Sequence, residues 1–208
     1  MPYSPAVSAP NHTIQAIFDR KSCRSFNPSH PLSKETIDVL AECAKASPSA
    51  CNYQNINVFV LNGIDKTTEF GLSVEPYVLE EKPFMRGIAA SKDKMGLKSF
   101  IFYDAPVAFV MTGNARDESK IRTLSADSGH CSQSIMIGAK SLGYDSICVG
   151  CMSGPKASEA ALKYLKEHCP DFPWEDKGKQ KLLLSVGVGI PKIEKGKPFK
   201  KDNIYHIK

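Results

Sequence analysis

The sequence lacks several signatures that would assign it at once to a common class of binding protein. It has no Gly-x-Gly-x-x-Gly after a predicted strand and no Gly-x-x-x-x-Gly-Lys-Ser/Thr, so neither a Rossmann site nor a P-loop is predicted. The longest uninterrupted apolar run extends from Ala105 to Met111, which is too short to cross a bilayer. No contact with a membrane is therefore expected.

Strong charge and a disulfide framework are also missing. The net charge of +5 is too mild for a typical nucleic-acid-binding protein, but it suits anionic small molecules such as phosphorylated cofactors. The seven cysteines are odd in number and scattered, which predicts a reducing compartment. Residues Met1 to Ala6 show neither the charged nor the apolar part of a secretory signal, so we expect a cytoplasmic protein.

A chain of 208 residues is long enough for one hydrophobic core, and we predict a single domain over residues 1–208. Residues 1–12 are rich in Pro and Ser and are predicted to be a flexible lead-in. Residues 64–100 mix charges, Gly, Pro and aromatics, which predicts a lid or excursion with a helix in 85–100. Residues 191–208 are predicted to be an extended basic tail.

Helix and strand patterns interleave irregularly along the chain. Thr13 is the predicted cap of a short helix whose inner face carries Ile14, Ile17 and Phe18, and Ser33 is the predicted cap of a second helix. Strands are predicted at residues 56–61, 105–112, 146–150 and 181–190, and further helices at 127–142, with Leu142 inside, and from Pro155 onward. Because two helices precede the first strand, the pattern favours an α+β layer fold over a regular doubly wound sheet.

The stretch from Asp19 to Phe26 concentrates cations and hydroxyls directly after the first predicted helix. Arg20 and Arg24 offer bidentate forks, Lys21 a point charge and Ser22 a neutral donor, a set that suits a phosphate. A solvated basic turn is the alternative, and it is the more common outcome for a charge cluster taken alone.

A second polar segment, Pro48 to Asn55, is rich in amides and hydroxyls. An amide group donates and accepts, so it suits the edges of heterocycles and the hydroxyls of sugars. An ordinary polar loop with Asx turns explains the same residues.

Cys148 and Cys151 form a Cys-x-x-Cys, which is found in thiol–disulfide enzymes and in halves of metal sites. No second Cys-x-x-Cys and no His pair at ligand spacing accompany it, so no metal site is predicted. The alternative is a pair of small apolar thiols beside Gly150, where a close backbone approach leaves no room for a side chain. Gly187 and Gly189, inside a strand pattern, predict a bulge or a close-packing point.

Taken in order, these segments resemble the FMN-dependent nitroreductase family over roughly residues 14–207. The resemblance is carried by residues 17–26, 46–54, 105–107, 141–150 and 183–191. It implies a central mixed, mainly antiparallel sheet flanked by helices, in an intertwined homodimer with FMN at the subunit interface. Two departures from the family pattern are Ala50, where a second Ser is common, and Gly150, where some members have an acidic residue.

The resemblance also implies which residues hold FMN. Arg20, Ser22 and a tail lysine, Lys197 or Lys200, would hold the phosphate, with Lys21 along the ribityl chain or ring and Arg24 near N1 and O2. The same resemblance places a set of residues from the partner subunit against the flavin, namely Pro48, Ser49, Ala50, Asn52 and Gln54. Cys148, Val149 and Gly150 would lie along the ring. A guanidinium near N1 would stabilise the reduced flavin, which tends to be anionic there.

The implied activity is transfer of a hydride from NADH or NADPH through flavin N5 to a planar acceptor such as a nitroaromatic or quinone, by a ping-pong mechanism. No side chain acts as a nucleophile in this scheme. The alternatives are a thiol–disulfide oxidoreductase using Cys148 and Cys151, the same fold carrying out flavin destruction or dehalogenation, and a basic module that binds nucleic acid through the tail.

Overall fold

The computed structural model of the chain describes residues 11–114, 118–175 and 179–192. Four strands in these ranges form one antiparallel sheet in the order β1-β2-β4-β3. They are β1 (Ile56–Asn62), β2 (Val107–Asn114), β3 (Asp145–Val149) and β4 (Gln180–Gly189). The centre of the sheet is therefore β2 and β4, and its edges are β1 and β3.

Six α-helices in the described ranges accompany the sheet. They are α1 (His12–Asp19), α2 (Lys34–Lys45), α3 (Ile64–Glu81), α4 (Arg86–Ser91), α5 (Glu118–Ser141) and α6 (Pro155–His168). One face of the sheet packs against α2 and α5, and the opposite face packs against α3 and α6, so the fold has three layers. None of these helices combines the length and the hydrophobicity needed to cross a membrane.

Strand β2 is buried on both faces because it lies between two hydrophobic cores. Val107, Phe109 and Met111 belong to the core under α2 and α5, whereas Ala108 and Val110 belong to the core under α3 and α6. All five side chains are 0% exposed. This arrangement explains why the strand appears in the sequence as an unbroken apolar run instead of an alternating one.

The strands begin and end within two residues of their predicted positions, and the α+β class is confirmed. The sheet itself differs from the mixed sheet that was expected, since all three of its strand pairs are antiparallel. Among the described residues, parallel pairing is limited to one isolated bridge, between Ser22 and Ser146.

Helix caps and inner faces were predicted with mixed success. Ser33 caps α2 as predicted, because its Oγ accepts a hydrogen bond from the Thr36 N–H (3.2 Å). The cap of α1 is Asn11 and not Thr13, since Asn11 Oδ1 reaches two free N–H groups of the first turn. Two predicted inner-face residues were wrong, because Ile17 is 40% exposed and Leu142 is 46% exposed.

Helix α3 was not predicted from the sequence, although it extends for 18 residues. It buries Phe70, Val74 and Val78, which recur at every fourth position and are each 0% exposed. After α3 the chain forms short 3₁₀ turns and α4 before it returns to the core at Leu97. The region predicted as a lid therefore begins with a core helix, and its irregular part is confined to residues 82–104.

The C-terminal end of α3 caps the first turn of α6. Glu81 accepts hydrogen bonds from the Lys156 N–H (2.6 Å) and the Ala157 N–H (3.2 Å), so its carboxylate satisfies two free donors. A Cβ at Gly154 would lie 2.0–3.0 Å from that carboxylate. A side chain at position 154 would therefore displace the Glu81 carboxylate from the position in which it caps α6.

We expect Gly154→Ala to lower the free energy of unfolding by about 1 kcal/mol, since the new methyl displaces the capping carboxylate. Urea unfolding measures this change. The matched control is Gly87→Ala in α4, where the added Cβ meets nothing within 4 Å and the higher helix propensity of Ala should be neutral or stabilising. Equal stability of the two variants would contradict the role of Glu81.

Candidate functional site

The basic stretch, residues 20–26, lies along the edge of the sheet formed by β3 and continues across the end of β4. The Cys23 N–H donates to the Ser146 carbonyl (2.9 Å), and the Asn27 N–H donates to the Ile190 carbonyl (2.8 Å). Cys23 and Phe26 anchor the stretch in the core, with exposures of 6% and 0%. Gly189 permits this packing because a Cβ there would lie 3.0 Å from the Phe26 ring and 2.6 Å from Pro106, which confirms the predicted close-packing point.

The polar side chains of the basic stretch are available to a ligand. Lys21, Ser22 and Arg24 are exposed and Arg20 is half-buried. Within the described ranges, no ion pair involves any of the three cations. The neighbouring carboxylate of Asp145 is already paired with Lys140 (Nζ–Oδ1 2.8 Å). The stretch therefore presents uncompensated positive charge along one edge of the sheet.

Two of these cations lie beside groups on neighbouring elements. Burial raises the pKa of the Tyr103 phenol, and the guanidinium of Arg24 beside its hydroxyl opposes part of that rise. Burial likewise raises the pKa of the Cys148 thiol, and Ser132 and Arg20 each oppose the rise. These electrostatic contacts place Arg20 towards the end of β3 and Arg24 towards the turn at Tyr103.

Two residues that the sequence did not single out, Tyr103 and Lys82, also lie beside this part of the site. Tyr103 is held in the left-handed region (φ 54°), which is unusual for a residue other than glycine. Lys82 Nζ donates to the Gly150 carbonyl (3.5 Å) and to Ser153 Oγ (3.0 Å). No local pattern marks these residues, because each one reaches the site only through the path of the chain between distant elements.

Gly150 follows β3, and its surroundings differ from the expectation that no side chain fits there. A Cβ at Gly150 would meet a single atom within 4 Å, the flexible Leu184 Cδ2 at 3.2 Å. Crowding by the protein therefore does not explain this glycine. The exposed backbone of Gly150 leaves open space next to the end of β3.

The amide segment, residues 48–54, is attached to α5. The Ala50 N–H donates to Asp127 Oδ1 (3.0 Å), and the Pro48 carbonyl lies 3.3 Å from His130 Nδ1. Ser49 Oγ accepts from the Gln54 N–H (3.0 Å), and Gln54 Nε2 donates to Asn52 Oδ1 (3.2 Å). Asn52 and Gln54 are exposed, so parts of their amide groups face outward.

The amide segment has an unusual backbone. Cys51, Asn52 and Gln54 all have positive φ, at 49°, 54° and 52°. Residues other than glycine hold such angles at a cost of about 1–3 kcal/mol each, so the surrounding contacts must fix them. Among the described residues, no hydrogen bond or ion pair joins this segment to the basic stretch. The two predicted halves of the site are therefore anchored separately in one chain.

The two thiols of Cys-x-x-Cys lie on opposite faces of the sheet. Cys148 packs against the core under α2 and α5, whereas Cys151 packs against the core under α3 and α6. Both are free thiols. This geometry separates the side chains that a thiol–disulfide enzyme must bring together. The described residues also hold no group of three or more His, Cys, Asp or Glu side chains that suits a metal ion.

Iodoacetamide should label Cys148 and Cys151 slowly at neutral pH, because burial raises the pKa of both thiols and limits the thiolate. Their labelling should accelerate only above the pH range of an ordinary thiol. Peptide mass spectrometry across a pH series measures this, with the exposed Cys51 as the internal reference. Rapid labelling of both residues at neutral pH would contradict this prediction and would favour a thiol–disulfide oxidoreductase.

The predicted tail ligands Lys197 and Lys200 lie outside the described residues. The donors that are described fit a flavin mononucleotide. The guanidinium of Arg20 and the hydroxyl of Ser22 suit its phosphate, and the charges of Lys21 and Arg24 suit its polar chain and the N1 side of its ring. The open backbone of Gly150 suits the approach of a flat ring. The donor set thus agrees with the expected cofactor.

Comparison with known structures shows the same fold in flavoproteins. A nitroreductase with bound FMN from Desulfitobacterium hafniense DCB-2 has 24% sequence identity and a TM-score of 0.71, covering 96% of this chain and 100% of that one. A nitroreductase with bound FMN from Bacteroides fragilis NCTC 9343 has 15% identity and a TM-score of 0.75 over 96% and 100% of the two chains. A BluB-like flavoprotein from Clostridium difficile 630 has 22% identity and a TM-score of 0.69 over 94% and 98%.

Sequence comparison gives a more specific result than the structural one. No curated protein sequence is significantly similar to this chain. The family model described as "Nitroreductase family" matches residues 17–189, which include the basic stretch, the amide segment and the whole sheet. The chain therefore belongs to the nitroreductase family.

Proposed function

We propose that this protein is an FMN-dependent oxidoreductase that passes reducing equivalents from NADH or NADPH to a planar acceptor such as a nitroaromatic or a quinone. The chemistry that bound FMN would supply is acceptance of a hydride at N5 and delivery of two electrons to the acceptor. The membership of the nitroreductase family and the FMN named in two structural neighbours support this reaction class.

The observation that carries the proposal is the uncompensated charge of the basic stretch beside the end of β3. Arg20 and Ser22 would bind the FMN phosphate, together with a tail lysine, and Lys21 would lie against the ribityl chain or ring. Arg24 would place a fixed positive charge beside the ring, where it stabilises the negative charge of the reduced state. Val149 and Gly150 would lie along the ring and exclude water from one edge.

The separation of the amide segment from the basic stretch supports a homodimer. One chain anchors its amide segment on α5, and within the described ranges the outward-facing groups of Asn52 and Gln54 form no hydrogen bond with its own basic stretch. We infer that these groups complete the FMN site of the partner subunit. Each site would then contain residues from both chains.

A visible absorption spectrum of the purified protein tests the proposal. We expect a flavin spectrum, intrinsic or after addition of FMN, that bleaches with NADH or NADPH under anaerobic conditions. The colour should return on addition of para-nitrobenzamide or benzoquinone. A protein that neither contains nor takes up FMN would overturn the proposal. If instead the reduced protein leaves both acceptors unreduced and dehalogenates an aromatic compound, or destroys its flavin in air, the protein catalyses another reaction of this fold.

A further inference from the structure

Lys82 ends α3 at the point where the chain meets the end of β3. Its ammonium group donates to the Gly150 carbonyl and to Ser153 Oγ, at 3.5 and 3.0 Å. Lys82 is half-buried, so its charge is only partly solvated. The preceding residue, Glu81, is bound to the first turn of α6, which fixes the main chain from which Lys82 extends. Lys82 is therefore a positioned cation next to Gly150.

This cation has no anionic partner among the described residues. The nearby carboxylates are used elsewhere, since Glu75 pairs with Lys92 (3.1 Å) and Glu81 caps α6. The groups that hold Lys82 are neutral: a carbonyl and a hydroxyl. An ammonium group held by neutral acceptors retains most of its capacity to attract an anion.

An exposed aromatic ring lies two residues further along the chain. Phe84 is 77% exposed, the highest value among the large hydrophobic side chains that the structure describes as exposed. The 3₁₀ turn Pro83–Met85 fixes its backbone, and Met85 anchors that turn in the core. A flat aromatic ligand could stack on Phe84 while an acidic substituent reaches Lys82.

We propose that Lys82 and Phe84 select the electron acceptor, and that the preferred acceptor is a flat aromatic compound carrying a carboxylate. Lys82 binds the carboxylate, and Phe84 covers the aromatic face. This inference rests on the proposed function, because it places the acceptor beside Gly150, where the flavin ring is proposed to lie. Lys82 is thus a specificity-determining residue for the oxidative half of the reaction.

The experiment compares para-nitrobenzoate with its neutral analogue para-nitrobenzamide as acceptors for the FMN-loaded enzyme. We expect wild type to favour the carboxylate in kcat/KM, and Lys82→Met to reduce that preference by roughly fivefold, the size of a partly exposed ion pair. Lys82→Arg should retain most of the preference. The matched control is Lys66→Met, which removes the same charge from the other end of α3, roughly 24 Å away along the helix.

Several results would overturn the inference. The first is a wild-type enzyme with no preference for the carboxylate. The second is a Lys82→Met variant that loses both acceptors equally, which would make Lys82 a structural tether only. The third is a Lys82→Met variant in which the rates of flavin reduction by NADPH and by NADH, measured by stopped flow, change relative to each other. That result would show that Lys82 binds an anionic group of the nucleotide and not the carboxylate of the acceptor.

The proposed function and this inference fail in distinguishable ways. If NADH and NADPH leave the flavin oxidised, the proposed function is wrong and the inference falls with it. If the flavin is reduced and para-nitrobenzamide is turned over at least as well as para-nitrobenzoate, only the inference is wrong. The wild-type comparison decides between these results even if a Lys82 variant does not fold.

Discussion

Arg20→Ala is expected to weaken FMN binding by roughly tenfold to a hundredfold, since a charge-assisted hydrogen bond contributes about 1.5–3 kcal/mol. Arg20 is half-buried at the end of α1 and has no ion-pair partner in the described ranges, so its guanidinium is free to bind a phosphate. Titration of the flavin-free protein with FMN, followed by flavin fluorescence, measures the change.

Two further variants give this prediction its specificity. Arg20→Lys keeps the charge but loses the bidentate fork, so its affinity should lie between those of wild type and Arg20→Ala. Lys34→Ala removes an exposed cation that pairs with Asp38 on α2 and should leave affinity unchanged. If Arg20→Ala binds FMN as tightly as wild type, Arg20 does not contribute to FMN binding.

Glu75→Ala should lower the free energy of unfolding by about 3 kcal/mol, because removing one member of a buried ion pair leaves the other without compensation. Glu75 is 7% exposed on α3. One of its oxygens accepts from the Phe100 N–H (2.7 Å) and the other from Lys92 Nζ (3.1 Å). The variant therefore leaves a buried N–H group and a partly buried cation without their hydrogen-bond acceptor.

Urea unfolding of Glu75→Ala beside Glu42→Ala measures this effect. Glu42 forms an exposed pair with Lys45 on α2, and such pairs contribute at most about 1 kcal/mol. A loss below about 1 kcal/mol in Glu75→Ala would show that the protein does not depend on this carboxylate to hold residues 92–100.

The sequence predicted best where one local rule decided the outcome. The cap Ser33 sets the start of α2, and the structure confirms it. The same applies to β2, since the predicted strand 105–112 and the observed strand Val107–Asn114 share the apolar run that ends at Met111. In the basic stretch the residue types suit an anion, and no ion pair involves its cations within the described ranges, but the anion site stays a prediction.

Helix α5 begins nine residues before its predicted start, since residues 118–126 are mostly polar or charged and show no clear apolar period. Ser125, Ser128 and Ser132 each donate to a carbonyl three or four residues earlier in the same helix. Each of these hydroxyls forms its hydrogen bond with the backbone of its own helix. A serine can therefore occupy an inward-facing position, where it interrupts the apolar period that predicts a helix. The contact between Asp127 and the Ala50 N–H, which anchors the amide segment, joins residues 77 apart in sequence, so no local pattern reports it.

Helix α3 was missed because it contains Gly71 and Pro76, which local propensity treats as helix breakers. Tertiary contacts override that propensity. A Cβ at Gly71 would lie 2.2 Å from Ser99 Oγ, so the glycine allows residues 99–101 to pack directly on the helix. The position of Lys82 beside Gly150 depends on the same packing and spans 68 residues of sequence, which no local pattern reports.

The anchoring of residues 82–104 at both ends has a consequence for protein engineering. Glu81 and Lys82 fix the start of the segment, while Asp104 Oδ1 accepts from the Lys98 N–H (3.0 Å) and Glu75 holds Phe100 at its return. Between these anchors, residues 86–96 are mostly exposed. Doubling the length of such a loop costs only about 0.6 kcal/mol in closure entropy. Lys92 must stay, because it pairs with Glu75, so the replaceable cassette is the exposed turn of residues 93–96. Insertions and loop grafts there can diversify the enzyme while the sheet and the basic stretch remain unchanged.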